Sequence, residues 1–160
     1  MFCKNAMLTD VVQAGPDWTI RDAVSLLQQQ NVRVLPIVDG EDRLLGQFSF
    51  NVILADLLPK ALQIEEYELK NVDLRLDYLV DTEADLAKRL RALLPVKLSD
   101  VMNPEVRVAH PDTPLVEGIR LLAKHGSPIP VVDEQTRRLL GLLTFQQAMV
   151  RLMAFVAEDD

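Results

Sequence analysis

Apolar positions along this chain fall into two sets that repeat each other. Residues 32–38 and 129–132 are short, almost continuous apolar runs, which predict buried strands. Ahead of them, Ile20, Ala23, Val24 and Leu27, and again Leu115, Gly118, Ile119 and Leu122, keep the spacing of one helix face. A β-type stretch precedes each helix, at residues 11–14 and 106–109. After each buried strand comes a polar turn (39–43; 133–138), then a second strand (44–49; 139–144). A last helix is predicted to begin near Phe50 and near Phe145. The order is β-α-β-β-α, twice.

The two copies hold register. Met7 lies over Met102, an offset of 95, and Val11, Ala14, Pro16 and Asp17 then fall on Val106, Ala109, Pro111 and Asp112. One residue is missing before Pro130, so Pro36 matches it at 94, and one is regained in the following turn. The run from Arg43 to Gly46 then matches Arg138 to Gly141 at 95 again. Both length changes sit where loops or strand starts tolerate them. Helix starts are also marked. Thr19 with Asp22 forms a capping-box pattern, and Thr113–Pro114 reads as a cap and first helical residue. Neither copy alone is long enough for a comfortable core, so the two are expected to pack about a pseudo-twofold axis.

Three segments follow: residues 1–58 as the first repeat, 59–97 as an insert and 98–160 as the second repeat. The insert is charged, lacks glycine and is too long for a passive connector. Thr82 with Asp85 predicts a helix start, with Leu86, Leu90, Leu93 and Leu94 on one face, packed on the pair or on a partner. Glu65, Glu66 and Glu68 read as a solvated face.

The chain of 160 residues is 49% hydrophobic, enough for a core, and carries a net charge of −7. That charge repels phosphate backbones, so no nucleic-acid partner is expected, although a local basic pocket could still hold a small anion. Cys3 is the only cysteine, so no disulfide can form within the chain, which fits a reducing compartment. No apolar run reaches membrane-spanning length and the start lacks a signal-peptide pattern, so no membrane partner and a cytoplasmic location are expected. The sequence suits a free-standing protein and an excised part equally. His110 and His125 have no further ligand at metal spacing, and no triad spacing occurs. Cys3 has no evident activating neighbour. Trp18 is expected to cover the core.

The residues resemble a known family. Pro36-Ile37-Val38-Asp39 and Pro130-Val131-Val132-Asp133 are similar to the "PVVD" strand of CBS domains. Gly46-Gln47-Phe48-Ser49 and Gly141-Leu142-Leu143-Thr144 resemble their strand end, and Asp100 to Pro104 resembles the "D-I-M-T-P" lead-in. The resemblance implies an α/β fold of two CBS-type repeats, a homodimer, and a regulatory role on a protein partner without catalysis. It also implies a ligand in a cleft between repeats: AMP, ADP, ATP or S-adenosylmethionine, with no required cofactor. By resemblance Ser49 and Thr144 would touch phosphate, while plain N-capping needs the same residue types. Val34 and Pro36, with Ile129 and Pro130, would pack an adenine ring; the alternative is plain core. Arg33 would reach a phosphate or a solvated edge. The ribose-binding acid expected three residues after Ser49 and Thr144 is replaced by Val52 and Gln147. Val52 cannot accept a hydrogen bond and Gln147 can, so the cleft around Thr144 is the one expected to work. The alternative function is a structural pair, serving dimerisation or docking with empty clefts.

Overall fold

A computed structural model describes residues 1–58 and 83–160. In the first repeat, α1 (Ile20–Gln30) is followed by the hairpin of β1 (Val34–Val38) and β2 (Leu44–Ser49), then by α2 (Phe50–Leu57). The insert contributes α3 (Glu83–Leu93), and a short α4 (Leu98–Val101) opens the second repeat. The second repeat runs α5 (Leu115–His125), β3 (Ile129–Val132), β4 (Leu139–Leu143) and α6 (Phe145–Asp159).

Both hairpins are antiparallel, and the bulge falls at equivalent places, between Ile37 and Val38 and between Val131 and Val132. The leading stretch of each repeat is less of a strand than its apolar pattern predicts. It pairs at a single parallel bridge, Ala14 with Ile37 and Ala109 with Val131. The capping box forms as read: Thr19 Oγ1 accepts from Asp22 N at 3.3 Å and Asp22 Oδ2 accepts from Thr19 N at 3.0 Å. In the second repeat Pro114, not Thr113, takes the cap position, and Thr113 Oγ1 instead accepts from His110 N at 2.9 Å. Thr82 and the acids at 65, 66 and 68 lie outside the described residues. Of the apolar face predicted for α3, Leu90, Leu93 and Leu94 pack on the first core, while Leu86 is exposed.

The cores are two clusters, one per repeat, and each is completed by the other repeat's leading segment. Cys3 is fully buried in the second core and Leu98, its equivalent at an offset of 95, is fully buried in the first. The exchange is reciprocal bond for bond. Leu115 N donates to Met1 O (2.9 Å) and Cys3 N to Thr113 O (2.8 Å); Ile20 N donates to Val96 O (2.9 Å) and Leu98 N to Trp18 O (2.8 Å). This borrowed segment covers the start of α1, which leaves Trp18 exposed and resting on Gly15 instead of over the core.

Further along, Leu8 pairs with Leu142 on β4, and Asn103 pairs with Gln47 on β2. Glycine permits the approach. A β-carbon on Gly46 would lie 2.6 Å from Asn103 O, and one on Gly141 would lie 2.5 Å from Leu8 O. Backbone oxygen cannot swing aside as a side-chain tip can.

The symmetry axis passes between the hairpin turns. Leu44 N donates to Arg137 O at 3.1 Å, and Leu139 N to Asp42 O at 2.9 Å. Asp39 and Asp133 hold the turns closed. Asp39 Oδ1 accepts from Glu41 N and Arg43 N, both at 2.9 Å; Asp133 Oδ1 accepts from Thr136 N at 2.8 Å and Gln135 N at 3.0 Å. The Arg43 and Thr136 backbone N–H groups, foremost, hold these carboxyls below the usual range. Such a lowered pKa stabilises the fold above the ordinary carboxylate value, and the contribution is lost as pH falls through the lowered one.

Gly46→Ala and Gly141→Ala should each lower stability in urea denaturation by about 1–3 kcal/mol, the usual cost of overpacking. Gly40→Ala, with nothing within 4 Å of its would-be β-carbon, should change it by less than about 0.5 kcal/mol. Equal effects at all three would contradict the close-approach account.

Candidate functional site

Exchange of the leading segments leaves two clefts between the repeats. One is built around Thr144, with about 450 Å³ of space, and the other around Ser49, with about 800 Å³. Each combines the strand-end hydroxyl of one repeat with the leading segment of its own repeat's partner and the helix-to-strand connection beyond it. Val34, Ser127 and Pro128 form a wall common to both.

The eight residues singled out in the sequence divide between the clefts. Thr144, Gln147 and Arg33 line the first; Ser49 and Ile129 line the second; Val34 lines both. Ile129, paired with Leu143 and buried in the second core, lines the Ser49 cleft and not the Thr144 cleft. Pro36 and Pro130 line neither. Both are fully buried in mid-strand, and their carbonyls accept from Ala14 N at 3.0 Å and Ala109 N at 2.9 Å. The strand interior buries them as core.

The two helix starts differ. Thr144 Oγ1 accepts from Gln147 N at 3.1 Å, and Ser127 Oγ accepts from Phe145 N at 3.3 Å, so two of the donors that a helix start leaves unpaired are satisfied at α6. Ser49 takes the equivalent cap position on α2 but makes no side-chain cap bond. Ser49 lines the second cleft. Val52, the counterpart of Gln147, packs on the first core and leaves Asn51 to line the cleft.

The surrounding side chains differ more sharply. Around Thr144 the walls are largely apolar, with Leu8, Val11, Val12, Val32 and Leu142, and the charges are Arg33 and Asp10. Around Ser49 the equivalent positions carry Asn103 for Leu8, Arg107 for Val12 and Gln47 for Leu142, joined by Arg137, His125 and Glu105. Loss of solvent around the ring, then the charges of Arg107, Lys124 and Arg120, hold the His125 imidazole below its ordinary value. His125 belongs to this wall; among the described residues no three His, Cys, Asp or Glu side chains group as ligands. His110 is engaged elsewhere, its Nδ1 lying 3.0 Å from Val132 O. Burial, foremost, pushes the Cys3 thiol up.

Arg107, Arg137 and His125 were not singled out as a group by sequence reading. Their signal is present, though only in the comparison of the copies, where cationic residues replace Val12, Asp42 and Gln30.

The CBS domain family matches residues 3–58 and 98–153. The chain belongs to the CBS domain family, as a tandem pair. Inosine-5'-monophosphate dehydrogenase of Methanocaldococcus jannaschii is 25% identical over 146 residues, 91% of this chain but only 22% of that protein's length. The CBS domain-containing protein YhcV of Bacillus subtilis is 26% identical over 157 residues, covering 94% of this chain and 85% of YhcV. Among solved structures, the CBS-pair protein CBSX2 of Arabidopsis thaliana superposes with a TM-score of 0.73 at 23% identity, covering 98% of this chain and 96% of that one. Its complex with AMP superposes with a TM-score of 0.69. At that identity the likeness establishes the fold. No helix among the described residues is long and apolar enough to cross a membrane.

Proposed function

We propose that this CBS pair is a non-enzymatic regulatory module that binds an adenosine-based ligand between its repeats and passes its occupancy to a protein partner. The observation that carries this reading is the construction of the clefts. Each is walled by both repeats, so a ligand that fits one arrangement of the repeats better than another biases their relative position. Their volumes lie within the range usual for small-molecule sites. The AMP complex of CBSX2 supports the ligand class.

A second reading, assembly through a helical face, has its own support. Phe145, Met149, Met153 and Val156 are 53–58% exposed and recur at helical spacing along α6. Such a stripe is a candidate contact for a second copy of the chain.

Thermal unfolding of the full chain tests the first reading. AMP, ADP, ATP or S-adenosylmethionine at 100 times its dissociation constant should add about 2.7 kcal/mol, a rise of several degrees in Tm. No rise with any of the four at millimolar concentration would contradict it. For the second reading, light scattering at micromolar concentration should give twice the chain's mass, and Met149→Glu with Met153→Glu should return it to the monomer. A monomer mass for the parent chain would refute it.

A further inference from the structure

We infer that the two clefts are divided by charge, and that the Ser49 cleft is the one that takes the phosphate of a phosphorylated ligand. This rests on the ligand-binding reading above and assigns its chemistry. The pseudo-twofold supplies an internal control: the two cavities share a backbone frame and a wall, so their differences lie in side chains.

Arg107 and Arg137 both line the Ser49 cleft, and neither forms an ion pair with a described residue. The neighbouring arginines do. Arg138 lies 3.6 Å from Asp42, Arg43 lies 2.8 Å from Asp39, and Arg120 lies 2.6 Å from Glu117. In a chain of net charge −7, two arginines left without carboxylate partners at one cavity are a local reversal of the overall field. Glu105 stands in the same cavity, so the lining keeps one net positive charge with His125 neutral. Around Thr144, Arg33 and Asp10 cancel.

The amide side chains do not follow this division. Each cleft has three, Gln47, Asn51 and Asn103 around Ser49 and Asn31, Gln146 and Gln147 around Thr144, so the division rests on the two arginines and on the Ser49 hydroxyl, which makes no cap bond. Guanidinium groups bond phosphate oxygens through fixed pairs of N–H donors, which makes arginine the suited residue type there. The Thr144 cleft, with more aliphatic walls and two of its helix-start donors already satisfied, fits an uncharged ring system instead. The charge comparison reverses the preference for Thr144 that rested on Gln147 alone.

Titration calorimetry of the full chain with AMP and with adenosine tests the division. AMP should bind more tightly than adenosine. Arg107→Gln and Arg137→Gln should each weaken AMP by about tenfold or more, the usual scale for a lost charge-assisted bond, and leave adenosine affinity within about twofold. Both arginines are exposed, so the variants should keep the parent Tm, which is measured alongside. Loss of AMP affinity on Arg33→Gln, with none on Arg107→Gln or Arg137→Gln, would overturn the division and leave the ligand-binding reading standing. Equal affinities for AMP and adenosine would overturn it likewise. No heat with AMP, adenosine, ATP or S-adenosylmethionine would overturn both.

Discussion

Everything in this molecule depends on two places where backbone lies against backbone, Asn103 over Gly46 and Leu8 over Gly141. Only a residue without a β-carbon allows that contact, and it brings each repeat's leading segment across to the other repeat. The Gln47–Asn103 and Leu8–Leu142 bridges then fix the register, and Cys3 and Leu98 drop into cores that are not their own. Each hydrophobic core is closed by a residue from the opposite repeat, so neither core is complete in its own half. The pairing of Leu44 and Leu139 across the axis adds a third tie at the hairpin turns.

This exchange also makes the clefts. The crossing segment carries Asn103, Glu105 and Arg107 to Ser49, and Leu8, Asp10 and Val12 to Thr144. Frame and lining are therefore separate problems for the sequence. Symmetric residues such as glycines, buried aliphatics and turn aspartates preserve the frame, while the lining is free to diverge between copies. Divergence has placed two arginines without carboxylate partners on one side and more aliphatic groups on the other. Val34, Ser127 and Pro128 line both clefts and form their common wall.

Much of the frame was legible in the sequence, because a duplicated pattern reports each element twice. The hairpin strands, the helices beginning at Ile20, Phe50, Leu115 and Phe145, and the Thr19–Asp22 box all follow from spacing and capping chemistry. The leading strands were overread, since an apolar stretch that touches the sheet at one residue has the same composition as a paired strand. Trp18 was misplaced for a related reason: the segment that displaces it from the core lies some 80 residues away in sequence. The site was less legible. Thr144, Ser49, Arg33 and Val34 do face clefts, yet Pro36 and Pro130 do not, and Arg107 comes from a segment whose destination is set only by the exchange. Cross-repeat partnership has no local signature; it appears once the chain is folded.

The most direct test of this account is a crystal structure of the full chain grown with saturating AMP. The account predicts nucleotide density in the Ser49 cleft, with the phosphate against the Arg107 and Arg137 guanidinium groups and with Asn103 still paired to Gln47. Density confined to the Thr144 cleft, or a phosphate turned away from both arginines, would contradict it.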